Sequence, residues 1–240
     1  MFRRRFGLPA AVFVALTVAL LLAAPGLAIR HAIVTELFGP KMVRTQALEK
    51  SGSELNLDRG VITHVNSTQL TLKEADGRVQ AIPLASTTQV IRGRRRLPPT
   101  SLALKWHVLV TWPASGSAEW VDVEKAPRFT KPSLALRRPI VAELFGPKMV
   151  RAVALEKNGL QWNLDRGVIT QVSSTQLTLR EFDGRVQSIP VSSTTQVVHL
   201  GQQLPESSLA TKWHVLVTWP TAGPAQSVDV EKMPKGKGVG

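Results

Sequence analysis

Apolar and polar residues alternate in short runs over most of the chain. "GVITHV", "QLTLKE", "RVQAIPL" and "TTQVI" follow one another between residues 60 and 91. Alternation with a period of two turns successive side chains to opposite faces and predicts half-buried strands. Turn residues fill the breaks: "NSTQ" after the first run and the Asp-Gly of "EADG" after the second. Ahead of these runs "MVRTQALEKSGSELNLD" reads as a hairpin, and "AEWVDVEK" ends the series. One short stretch breaks the pattern. In "AIVTELFGP" Ile33 and Leu37, and Val34 and Phe38, fall four residues apart on one helical face, and Gly39 and Pro40 then stop the helix.

The whole pattern occurs twice. A shift of 107 residues aligns 25–125 with 132–232 without a gap, and 69 of the 101 positions are identical. Repetition this strong makes two copies of one domain, each large enough to bury its own core. In the second copy the hairpin turn contains Asn158 and Gly159, a pair that favours type I′ geometry. Six to eight short strands per copy predict an all-β chain of two tandem small β-barrels of the OB or SH3-like kind, since closure leaves no sticky edge. A short helix precedes each barrel. The predicted boundaries are 32–125 for the first repeat, 126–138 for a linker, 139–232 for the second repeat and 233–240 for a disordered tail.

"RGVITHVNSTQLTLKEADGRVQAIPLASTTQV" and its twin "RGVITQVSSTQLTLREFDGRVQSIPVSSTTQV" resemble an uncharacterised family of exported bacterial small-β-barrel domains. A Gly-led strand, a Leu-x-Leu strand, Asp-Gly, an Ile/Val-Pro strand and a Thr-x-Val strand carry the resemblance, over residues 58–125 and 165–232. It implies a fold and export, and it brings no catalytic residue. The family usually places Gly just before its penultimate strand, where this chain has Lys105 and Lys212.

"KWHVLVTWP" stands at both of those points. Alternation sets Trp106, Val108, Val110 and Trp112 on one face, read as the barrel interior, and His107, Leu109 and Thr111 on the other. Where the copies differ, the sequence offers candidate partner contacts. Trp120 alternates against Val121 and Val123, which points it outward beside Asp122 and Glu124, and the second copy has Ser227 there. Phe182 replaces Ala75 beside an Asp-Gly turn, and Trp162 replaces Leu55, as core filling or as edge packing.

Arg3, Arg4 and Arg5 precede an uncharged run from Phe6 to Ile29, whose densest apolar part spans residues 10–24. This is a targeting pattern: residues 1–28 are read as a signal peptide or as a retained membrane anchor, and both readings put the repeats outside the cytoplasmic membrane. Cys is absent, so no disulfide frame, Cys-based metal site or thiol nucleophile exists.

The net charge of +13 is spread unevenly. The two copies carry only +4 and +2, and the N-terminal cluster, linker and tail carry the rest. Arg92, Arg94, Arg95 and Arg96 form the one dense cluster, and the second copy has "HLGQQ" instead. A nucleic-acid binder would not drop its main phosphate contacts in one copy, and Tyr is missing for stacking. No Gly-rich phosphate loop, zinc-protease helix or nucleophile elbow is present. Asp58, Glu74, Asp76 and Asp122 recur in the second copy; Asp76 and Asp183 belong to Asp-Gly turns, Asp122 and Glu124 alternate outward, and a carboxylate pair meeting in a cleft is left open.

The expectation is therefore a non-enzymatic envelope protein without cofactor or metal, binding or scaffolding through its doubled domain. Its partner would be an envelope protein or an anionic polymer. The alternative is electrostatic attachment to anionic lipid or wall polymer through Arg92, Arg94, Arg95 and Arg96, and a nucleic-acid-binding barrel is the weaker alternative.

Overall fold

The computed structural model describes residues 41–93, 95–126 and 146–234. The segment read as signal or anchor, both short helices, most of the linker and all but the first two residues of the tail lie outside them. Among the described residues no helix is long and apolar enough to cross a membrane.

The described residues are all-β, with eight strands in each copy. The first copy holds β1 (Met42–Glu49), β2 (Glu54–Val65), β3 (Gln69–Glu74), β4 (Val79–Pro83), β5 (Gln89–Arg92), β6 (Arg95–Leu97), β7 (His107–Pro113) and β8 (Trp120–Lys125). The second repeats them as β9 (Met149–Glu156), β10 (Gln161–Val172), β11 (Gln176–Glu181), β12 (Val186–Pro190), β13 (Gln196–His199), β14 (Gln202–Leu204), β15 (His214–Pro220) and β16 (Ser227–Lys232).

The expected pair of closed barrels is not what forms. All sixteen strands join one sheet in the order β14-β13-β16-β15-β10-β9-β1-β2-β7-β8-β5-β6, with the hairpins β3–β4 and β11–β12 hanging from β2 and β10. Each copy curls around its own core but leaves its ladder open, because its first strand pairs with the other copy. An exposed edge needs a partner, and here the duplicate supplies it.

The join is symmetric. β1 and β9 run antiparallel, with Arg44 opposite Leu155 and Leu48 opposite Arg151. These are the same two positions exchanged between copies, so a two-fold axis passes through the central pair Gln46 and Val153. The flanking bonds obey it too: Lys50 N–H donates to Lys148 O and Lys157 N–H to Lys41 O, both at 2.8 Å.

Three apolar clusters follow from this layout. Ile62, Leu70, Leu72, Ile82, Val108, Val110 and Val121 fill the first repeat, and their counterparts fill the second. Leu57, Leu109, Leu164, Leu216 and Trp162 belong to a third cluster over the join. β7 is thus covered on both faces, and Leu109 and Thr111, read from alternation as outward, are wholly buried. The inward half of that reading holds: Val108 and Val110 are buried, Trp213 is 3% exposed, and Trp106 and Trp112 pack half-buried against the core.

Local chemistry sets the bends. Gly60 sits where β2 leaves β1 and takes up β3, and a Cβ there would stand 2.7 Å from Lys73 O. The Asn158–Gly159 turn is not type I′. Gly159 alone has positive φ, at 83°, and the bonds from Gly159 N–H to Glu156 O and from Glu156 N–H to Leu160 O make a type I turn with a glycine bulge. Lys105 and Lys212 both adopt left-handed backbone, at φ 65° and 69°. Lysine occupies a glycine conformation there, held by the bonds from its own N–H to Ile62 O and Ile169 O.

Candidate functional site

The residues singled out from sequence do not converge. Trp120 is half-buried on β8, paired beside Gln89 and Thr111, and its counterpart Ser227 is buried. This position is therefore not a free outward anchor, and Asp122 beside it is buried as well. Trp162 lies in the cluster over the join, 8% exposed, and its Nε1 donates to Glu156 Oε1 at 3.2 Å. Of its two readings, core filling is the one realised. Phe182 stays 41% exposed, but its ring is engaged within the chain: Lys50 Nζ stands 3.9 Å above it and the His214 ring lies 6.0 Å away.

The basic cluster occupies the end of the sheet. Arg95 and Arg96 are exposed on the three-residue edge strand β6. Arg92 is half-buried with its guanidinium 5.2 Å from the Trp106 ring centroid, and Arg94 lies outside the described residues. In the second copy His199 takes the place of Arg92 and turns inward, with Nδ1 2.7 Å from Val230 O.

What the fold does assemble, twice, is a buried polar cluster of which the sequence places only Asp76 and Asp183, in Asp-Gly turns. Asp58 on β2 faces the repeat core, with Gly60 and Ile62 on the same side of the strand. Glu74 ends β3 on the side that carries Leu70 and Leu72, and its side chain has no exposed surface. Arg44 from β1 reaches across and donates from Nη1 to Glu74 Oε2 and to Asp76 Oδ2, each at 2.7 Å. Trp112 Nε1 donates to Asp58 Oδ2 at 2.5 Å, and the backbone N–H of Arg78 donates to Asp76 Oδ1 at 3.1 Å. The second copy repeats the arrangement: Arg151 meets Glu181 at 2.8 Å and Asp183 at 2.7 Å, and Trp219 meets Asp165 at 2.5 Å.

Burial pushes the Glu74 carboxyl up to about 7; Arg44 opposes the rise, and the adjoining Asp58 adds to it. Glu181 is pushed up to about 7 as well, by burial first, with Arg151 working against it and Asp165 adding to the rise. Asp165 is also raised by burial, against the pull of the Trp219 hydrogen bond. Burial pushes Asp76 up too, but the donors on Arg78 and Arg44 outweigh it and hold this carboxyl low. A carboxylate accepts and cannot donate, so two carboxyls in hydrogen-bonding reach stay together when one keeps its proton.

A second buried charge ties the strands together. Arg59 donates from Nε and Nη2 to both oxygens of Glu124 at 2.9 Å and from Nη1 to Met42 O at 2.8 Å. Arg166, 2% exposed, donates from Nε to Glu231 Oε1 at 3.1 Å and from Nη1 to Met149 O at 2.8 Å. Each bridges the long strand of its copy to the last strand and to the strand at the join.

These groups are enclosed rather than presented. A shallow groove of ≈ 420 Å³ opens elsewhere, lined by Ser51, Ser53, Glu54, Pro113 and Ser115, with a single carboxylate. Among the described residues no three His, Asp or Glu are grouped to hold a metal ion. The signal that would have found the buried cluster is the alternation already in use: Leu70, Leu72 and Glu74 share a parity, as do Asp58, Gly60 and Ile62. A charge on a core-facing position requires partners. No protein family, curated protein or solved structure matches this chain.

Proposed function

We propose that this chain is a non-enzymatic, exported binding or scaffolding protein of the cell envelope. It presents two copies of one β-sheet module in a two-fold arrangement. The observation that supports this most is the symmetric pairing of β1 with β9, which turns a tandem repeat into one rigid, internally two-fold body. Such a body offers twice the surface that the copies share, and doubling raises avidity without new chemistry. The charged groups of the interior serve the same end, since they sit behind the surface and weld strands together. Export rests on the Arg cluster and apolar run of residues 1–28.

Capture from an envelope extract on the immobilised full-length chain tests the reading, followed by stoichiometry of the complex in the ultracentrifuge. A partner held at two sites per chain supports it. Turnover of a captured component without a lasting complex overturns it.

The second reading is attachment to an envelope polyanion, favoured by the exposure of Arg95 and Arg96 on an edge strand whose counterpart carries Gln202 and Gln203. Screened attraction of this kind fades with salt. Cosedimentation with phosphatidylglycerol vesicles, against phosphatidylcholine vesicles, separates the two readings. The polyanion reading expects binding that falls with rising salt and with the combined change of Arg92, Arg94, Arg95 and Arg96 to Gln. Indifference to both removes it.

A further inference from the structure

We propose that each repeat carries a proton-operated latch, in which a proton shared between Glu74 and Asp58, and between Glu181 and Asp165, holds the β3–β4 and β11–β12 hairpins against the joined sheet. Four elements meet at Glu74. β1 supplies Arg44, β2 supplies Asp58, the turn and the start of β4 supply Asp76 and Arg78, and β7 supplies the Trp112 indole that holds Asp58. In the second copy these are Arg151, Asp165, Asp183, Arg185 and Trp219.

Two observations beyond the acidic clustering point to a bound proton. Glu74 Oε1 is fully buried and has no hydrogen-bond donor among the described residues, while its other oxygen is taken by Arg44. Glu181 Oε1 is likewise without a hydrogen-bond donor, with Arg185 Nη1 at 3.7 Å. A buried acceptor without a donor is costly, and a proton on one carboxyl bonded to the other removes the fault. Charge balance agrees. In the deprotonated cluster two cations, Arg44 and Arg78, face three carboxylates, Glu74, Asp58 and Asp76.

Loss of the proton leaves two adjacent buried carboxylates that repel. The element with least holding it is the hairpin, which pairs only with β2 through β3 and whose outer strand β4 has no ladder partner on its far side. The latch therefore opens at the β3–β4 turn, and the same follows at β11–β12.

The sign is fixed by linkage. Glu74 and Glu181 titrate near 7 when folded against 4.5 as free groups, so the folded chain holds extra protons between those values. The stability they contribute is complete below about 4.5 and is lost as pH rises through about 7. The folded-to-unfolded ratio falls by up to on the order of 100-fold per copy across that window.

The test uses the full-length chain at pH 5, 6, 7 and 8. Hydrogen exchange, corrected for its intrinsic pH dependence, should rise selectively in β3–β4 and β11–β12 with pH and stay level in β7–β8 and β15–β16. The infrared band of a protonated carboxyl should persist at pH 6, where exposed carboxyls are already ionised, and vanish by pH 8. In the double variant Glu74→Gln and Glu181→Gln the amide donates where the proton did, so the selective rise should be abolished. Exchange that responds uniformly, or no protonated band at pH 6, overturns the proposal. The band is read on the unaltered chain, so the proposal stands or falls there even where a variant fails to fold.

Discussion

The two repeats form a controlled experiment, the same backbone with different side chains at known places. Arg44, Asp58, Glu74, Asp76, Arg78 and Trp112 in one copy have identical counterparts in the other, each tied to at least one of the rest. At the join the copies part. Leu55 in one is Trp162 in the other, and with that change Glu156 becomes buried under the indole while Glu49 remains half-buried beside Ser51. Beside the β3–β4 turn Ala75 is matched by Phe182, and His214 next to that ring is half-buried where His107 is exposed. At the outer edge Arg95 and Arg96 are matched by Gln202 and Gln203. Substitution is thus tolerated where a side chain answers to one neighbour or to water. It is absent where several groups satisfy one another.

The buried arginines should separate the copies most strongly. Arg166→Ala leaves Glu231 and two carbonyl acceptors without their donor, and removal of one member of a buried pair costs about 3–5 kcal/mol. Arg59→Ala should fall nearer the lower bound, because the Arg59 side chain keeps 9% exposure against 2% for Arg166. Denaturant unfolding of both variants measures the difference, and equal losses would mean that solvent access does not set the cost.

Next in size is the asymmetry at the join. Trp162→Leu makes the second copy match the first, empties volume in a packed cluster and strips Glu156 of its indole donor, a loss of about 2 kcal/mol. The reverse change, Leu55→Trp, adds volume to a position packed for leucine and should cost about 1–3 kcal/mol. If the first change is neutral on denaturant unfolding, the cluster over the join does not contribute to the stability of the whole.

Much of this was legible in the chain, and the parts that were not share one cause. Most strand positions, the six to eight short runs in each copy and the inward face of Val108 and Val110 follow from a period of two. That rule speaks of two faces and is silent about which faces are covered. Leu109 and Thr111 occupy the second face of β7, and only the pairing of β1 with β9 decides that it is buried; no residue in β7 encodes that. The same pairing hides Trp162. The carboxyl cluster is a different kind of miss. Glu74 falls in step with Leu70 and Leu72, so its inward direction is written in the pattern, but nothing local says that Arg44 and Asp58, 30 and 16 residues away, meet it there.

Backbone strain gives the copies a shared weakness of similar size. Lys105 and Lys212 hold positive φ, which costs an L-residue about 1 kcal/mol. Glycine removes that strain but loses more freedom on folding, so Lys105→Gly and Lys212→Gly should each stabilise by about 0.5 kcal/mol. The sites lie in different repeats, and the double variant should show the sum. Thermal melts read this directly; destabilisation by either glycine would mean that the lysine side chains make contacts that outweigh the strain.

An effect of comparable small size bears most directly on whether the two-fold body is fastened equally at its two ends. Lys50 of the first copy lies over Phe182 of the second, whereas symmetry brings Lys157 only toward Ala75. A cation over an exposed aromatic face is worth about 0.5–1 kcal/mol. A double-mutant cycle on Lys50→Gln and Phe182→Ala should return a coupling in that range, and the cycle on Lys157→Gln and Ala75→Gly should return none. Ala75→Phe should then create at the second end what exists at the first, and a new cycle with Lys157→Gln should recover the same coupling. Failure there would mean that the two ends differ in backbone placement and not only in side chain. The join would then be a two-fold axis in register alone.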